Sequence, residues 1–203
     1  MHKEILTKEQ IKLLPLLKTF SKNFGLVGGT AIALQIGHRQ SVDFDMFSGD
    51  KFGNLAILNK FRKSVGVDAV QINRLDEITF VSLGVRITFF RYIYGIEYSQ
   101  KFDSIVNLPD LLTLAAMKAF VLGRRAKWKD YVDLYFIMRD FYGINEIIKK
   151  GNEIFGKEFN DKIFKTQLAY FQDINCEERV RFVPGFEVSD KEIKKKLVEF
   201  SLE

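Results

Sequence analysis

The sequence predicts an α+β chain, a small mixed β-sheet with flanking helices followed by a C-terminal helical bundle. Three observations carry that reading. Residues 41–47 alternate with the period of a strand, placing Val42, Phe44 and Met46 on one side and Asp43, Asp45 and Phe47 on the other. Three further β-rich runs, near residues 67–72, 78–83 and 85–94, are separated by polar or glycine breaks. From Leu111 onward the apolar spacing is helical, so residues 1–107 read as a sheet-bearing core and residues 108–203 as a helical region packed on it.

Along the chain, Thr7 and Gln10 have the spacing of a capping box, and Ile11, Leu14, Leu17 and Phe20 follow at helical intervals until Asn23 and Gly25 break the pattern. A short apolar stretch over 24–27, then Gly28 and Gly29, then periodic residues 30–36 ending at Gly37 predict strand, glycine turn and helix. Another helix is expected over 54–63. Pro109 and Asp110 suit a first helical turn, and helical patterns cover 111–122, 131–138, 144–155 and 159–171. After a looser stretch around Pro184 and Gly185, Ser189 and Glu192 form a second capping box that opens a charged C-terminal helix.

With 203 residues and 47% hydrophobic content, the chain can bury a substantial core, which excludes global disorder. Lys plus Arg number 31 against 26 for Asp plus Glu, and the net charge of +5 fits a polyanionic partner without requiring one. The single cysteine, Cys176, excludes an internal disulfide and a cysteine-based zinc site, reads as a partly buried small side chain, and fits a reducing compartment. The charged N-terminus lacks the apolar run of a signal peptide, and no stretch reaches the ~18 apolar residues of a membrane span, so a cytoplasmic protein is expected.

The chemistry-bearing residues begin at Gly28, Gly29 and Thr30. Missing Cβ atoms there would let a phosphate approach the backbone, and the N–H groups opening the following helix would point at it. Such a turn is by itself usually plain turn chemistry. It gains weight from Asp43 and Asp45, two residues apart on one strand with Cα atoms about 6.5–7 Å apart, so that both carboxylates can close on a common point. Solvated aspartates are the bland alternative, but the apolar neighbours Val42, Phe44, Met46 and Phe47 argue for a largely buried strand, where carboxylates are costly unless they coordinate something. Mg²⁺ is the fitting cation, because it takes oxygen ligands and is commonly shared between carboxylates and substrate phosphates.

Farther along, Lys118 is the lone charge in the apolar run 111–122, where it either snorkels to solvent or faces a polar cavity. Asp130 and Asp133 share a helix face at i and i+3, and Asp133 enters an apolar zone, where Lys118 or one of Arg124 and Arg125 could partner it. That pairing has a purely structural reading too.

Taken in order, GGT, HRQSVDFDMFS and LLTLAAMKAFVLGRRAKWKDYVDLYFI resemble the AbiEii/AbiGii toxin family of nucleotidyltransferase-like proteins, over roughly residues 24–138. The resemblance implies a polymerase-β-type nucleotidyltransferase core. In it, Gly28, Gly29 and Thr30 match the glycine motif, Asp43 and Asp45 the metal-binding aspartates, Lys118 the helix lysine, and Asp130 and Asp133 the later acidic pair, of which one is expected at the active site. Arg39 and Ser41 belong to the matching string and join the glycines as expected nucleotide-binding residues. Such enzymes often take a third carboxylate from a following strand, and here Thr88 stands in its place within 85–90. The implied function is Mg²⁺-dependent transfer of an NMP from an NTP to RNA, such as tRNA, or to a protein acceptor, by a toxin with a cognate antitoxin. The alternative is a nucleotide- or RNA-binding module that keeps the fold without catalysis.

Overall fold

The computed structural model describes residues 1–122, 124–125, 127–172, 174 and 179–203; Cys176 lies outside the described residues. The chain divides into two compact units, Met1–Asp110 and Leu111–Glu203.

The first unit opens with α1 (Lys8–Lys18), begun by Thr7, whose hydroxyl accepts from Gln10 N while the Gln10 side chain accepts from Thr7 N. Then come β1 (Gly25–Val27), α2 (Gly28–Ile36), β2 (Phe44–Ser48), α3 (Asn54–Ser64), β3 (Ala69–Arg74), β4 (Glu77–Ser82) and β5 (Val85–Arg91). The strands form one five-stranded sheet in the order β1-β2-β5-β4-β3, in which β2 and β5 run parallel and the other neighbours antiparallel. A hairpin of β6 (Gln100–Phe102) and β7 (Val106–Leu108) completes the unit; these strands are too short to give a period and were not anticipated from sequence.

The register separates the sheet into two faces. Phe44, Met46, Ile78, Phe80, Ile87 and Phe89 share one face and are fully buried. Phe20, Phe24 and Phe61 pack onto it, with ring centroids 5.0 Å apart for Phe20–Phe89 and Phe24–Phe89 and 4.7 Å for Phe61–Phe80. The opposite face carries Asp45 and Phe47 on β2, Thr88 and Phe90 on β5, and Thr79 on β4.

Two expected boundaries move for a local reason. Strand β2 begins at Phe44 rather than residue 41, and Val42 is exposed. The carbonyls just before the strand are already committed, Ser41 O accepting from Gln10 Nε2 at 2.9 Å and Asp43 O accepting from Thr30 Oγ1, so they do not join the ladder. Helix α2 starts at Gly28 rather than residue 30, because Gly28 takes φ +71°, the left-handed value that glycine permits, and turns the chain straight from β1 into the helix.

The second unit is helical: α4 (Leu111–Leu122), α5 (Trp128–Asp140), α6 (Ile144–Phe155), α7 (Asp161–Leu168) and α8 (Asp190–Ser201). Helix α7 is shorter than the pattern over 159–171 suggests, since Asn160 caps it by accepting from Ile163 N. Phe159 is thereby left outside the helix, where its ring packs directly on Gly151 of α6, with no room for a Cβ. Phe120 stacks on Phe155 at 3.9 Å, joining α4 to α6. The Trp128 indole N–H donates to Asp190 Oδ1 at 3.1 Å, joining α5 to α8. Among the described residues, no helix is long and apolar enough to cross a membrane.

Candidate nucleotide site

Gly28, Gly29, Thr30, Arg39, Ser41, Asp43 and Asp45 come together in the first unit, where β1 hands over to α2 beside β2. The two glycines serve the protein's own side chains. A Cβ on Gly28 would lie 2.4 Å from Asp45 Oδ2, and one on Gly29 would lie 2.5 Å from Arg39 Nη2. The missing Cβ atoms thus let the Asp45 carboxylate and the Arg39 guanidinium close against the start of α2. The first backbone N–H groups of α2 still lack intrahelical acceptors, and the positive end of the helix dipole lies beside Asp45.

Arg39 is 1% exposed and Ser41 7% exposed, so both are buried beside the turn. Arg39 Nη1 donates to Gln40 O at 3.0 Å. Thr30 Oγ1 hydrogen-bonds both the Ser41 hydroxyl, at 2.9 Å, and the Asp43 carbonyl. The carbonyl can only accept, so it takes the Thr30 proton, and the Ser41 hydroxyl completes the chain. With Gln10 Nε2 on Ser41 O, this network ties α1, α2 and the approach to β2 into one support for the aspartates.

The Asp43 and Asp45 side chains are partly exposed, in contrast to Phe44 and Met46 at 0%. The parallel register of β2 on β5 sets Asp45 opposite Thr88, whose hydroxyl lies 3.2 Å from that of Thr79. The place beside Asp45 therefore holds a hydroxyl pair and no acid. Two residues earlier on β5 stands Arg86, which forms a close ion pair with Asp43. Arg86 is not among the site residues expected from sequence; its parity with Thr88 is the signal that places it on the aspartate face.

Lys118, Asp130 and Asp133 belong to the second unit and form a buried trio. The Lys118 side chain is 8% exposed, Asp130 3% and Asp133 0%; Lys118 Nζ pairs closely with Asp130 and lies 3.0 Å from Asp133 Oδ2. Arg125 Nε adds a contact to Asp130 at 3.2 Å. The lysine does not snorkel, and both acids share it, as their i, i+3 spacing on α5 allows. A catalytic assignment for this trio rests on the family resemblance alone.

Chemically, Asp43 and Asp45 offer carboxylate oxygens on one sheet face at a helix N-terminus. Such a donor set fits one hard divalent cation shared with substrate phosphates and water. Among the described residues there is no cluster of three His, Cys, Asp or Glu side chains able to hold a metal without such help.

The fold that holds these residues is shared with proteins of known structure. The structure is similar, across 96% of this chain and 83% of the other, to MenT4, a nucleotidyltransferase toxin from Mycobacterium tuberculosis H37Rv, with a TM-score of 0.65 and 13% identity. It is also similar to JHP933 from Helicobacter pylori, with a TM-score of 0.56 and 12% identity over 97% of this chain and 92% of that one. In sequence, the chain is 28% identical over 186 residues, 88% of each chain, to an uncharacterized protein of Aquifex aeolicus. No family model matches the chain. The chain therefore has a nucleotidyltransferase-like fold, the fold that the resemblance of its motifs implies.

Proposed function

We propose that this protein transfers a nucleotidyl group from an NTP to RNA, such as tRNA, or to a protein acceptor, and that it is the toxin of a toxin–antitoxin or phage-defence pair with a separate antitoxin. The observation that carries the reading is the placement of Asp43 and Asp45 on one sheet face against the first turn of α2, with Gly28 clearing the space for Asp45. The nucleotidyltransferase toxin among similar structures supports it.

Mg²⁺ held by Asp43 and Asp45 would supply positive charge to the triphosphate. The N–H groups at the start of α2 bind phosphate oxygens, and the Thr30–Ser41–Gln10 network keeps the two aspartates aimed. The acceptor oxygen attacks the α-phosphorus, the bond to the bridging oxygen breaks, and pyrophosphate leaves. Positioning and electrostatic stabilisation provide most of the rate in such transfers.

Incubation with each α-³²P-labelled NTP, Mg²⁺ and total cellular RNA tests this. Label is expected to move to RNA or protein with the wild type and not with Asp43→Ala or Asp45→Ala. Transfer that persists in both variants would overturn the assignment. Thr88 standing beside Asp45 where an acid would complete the donor set favours one second reading, nucleotide or RNA binding without turnover. It predicts salt-sensitive RNA binding that survives Asp43→Ala and no movement of label.

A further inference from the structure

Arg86 is a charged residue of the aspartate face that the proposed chemistry has not used. The register pairs Phe44 with Ile87 and Asp45 with Thr88, so Asp43 falls beside Arg86, and the guanidinium engages Asp43 Oδ2. The Arg86 side chain is 40% exposed and that of Asp43 26% exposed. The pair is therefore a solvent-screened contact that can open at modest cost.

A cation that binds Asp43 through Oδ2 competes with Arg86 for the same oxygen. Once displaced, the guanidinium would be available to the nucleotide's phosphates, phosphate being the other anion that its planar fork of donors binds in bidentate fashion. Charge also limits the metal count. Asp43 and Asp45 carry two negative charges, Arg86 returns one positive charge, and Thr88 adds none. Strand β5 thus brings a cation and a hydroxyl to the aspartates where a second divalent cation would call for a further carboxylate, and Glu77 on the same face of β4 is held by Arg74.

We propose that Arg86 is a phosphate-binding residue, held by Asp43 in the nucleotide-free protein and passed to the nucleotide when a single divalent cation takes Asp43. The proposal rests on the nucleotide-site reading above and adds to it the residue and the metal count.

Mn²⁺ binding followed by electron paramagnetic resonance, with and without the α,β-methylene analogues of the four NTPs, separates the possibilities for wild type, Arg86→Gln and Arg86→Lys. Arg86→Gln removes a competitor, so it is expected to bind Mn²⁺ alone about threefold to fivefold more tightly. It is expected to bind the analogue at least about tenfold more weakly, from the loss of a charged hydrogen bond. Arg86→Lys keeps the charge and falls between, and saturated wild type holds one Mn²⁺ per chain. The opposite signs are the signature, since a merely structural role for Arg86 would weaken both ligands together. Parallel weakening, no change in either affinity, or two Mn²⁺ per chain would overturn the proposal. Wild type that binds Mn²⁺ and analogue normally while Arg86→Gln is silent sinks the role of Arg86 alone. Wild type that binds neither sinks the nucleotide-site reading with it.

Discussion

Replacing Lys118 by methionine keeps the length of the side chain and removes its charge from a place where almost no water reaches. Asp133, with a side chain of zero exposure, loses the ammonium 3.0 Å from its Oδ2; Asp130 loses its closer partner but keeps Arg125 at 3.2 Å. Removing one member of a buried ion pair typically costs about 3–5 kcal/mol, because a charge stays behind in a poorly solvated place. We expect Lys118→Met to lose stability within that range. Removing the second charge should restore part of it, so Lys118→Met/Asp133→Leu is expected to be more stable than Lys118→Met alone. Urea unfolding followed by fluorescence reads this directly, since Trp128 is the chain's single tryptophan, lies buried on α5 and stacks near Tyr131 at 6.0 Å. A loss under about 1 kcal/mol for Lys118→Met, or a double variant less stable than the single one, would refute the reasoning that the trio is a desolvated charge network.

Two further outcomes follow from the first unit. Gly28→Ala must hold φ +71° with a side chain and place a Cβ 2.4 Å from Asp45 Oδ2, so a stability loss of at least about 1–2 kcal/mol is expected, together with weaker Mn²⁺ binding as Asp45 is displaced; denaturation and Mn²⁺ titration check both, and an unaffected metal affinity contradicts the role given to Gly28. Burial pushes the Tyr98 phenol up to about 12 from an ordinary 10.0. Below pH 10 the phenol is neutral in folded and unfolded chains alike. Between pH 10 and 12 only the unfolded chain ionises, so stability falls as pH rises through that window, by up to about 2–3 kcal/mol. Tyr98→Phe loses the hydrogen bond to Phe47 O at 3.2 Å but should show a correspondingly flatter profile there; identical slopes would mean that the phenol is solvated.

Sequence by itself determined the elements whose signals are local. Thr7 with Gln10, and Ser189 with Glu192, mark helix starts, because a cap is a contact between residues three apart. The alternation from Phe44 to Phe47 gave the strand and put Asp45 opposite the buried Phe44 and Met46, because a strand's side chains alternate whatever packs on them. The order of the motifs was enough to suggest the fold. Tertiary structure alone decided what each glycine faces, since the neighbours of Gly28 and Gly29 are Asp45 and Arg39, ten or more residues away in the chain. It also decided that Arg39 and Ser41 are buried, that Lys118 is shared by two acids, and that Arg86 stands on Asp43. The last depends on pairing β2 with β5 in parallel across some forty residues of intervening chain. Periodicity gives the face of each strand, but the partner and register come only when the sheet is assembled.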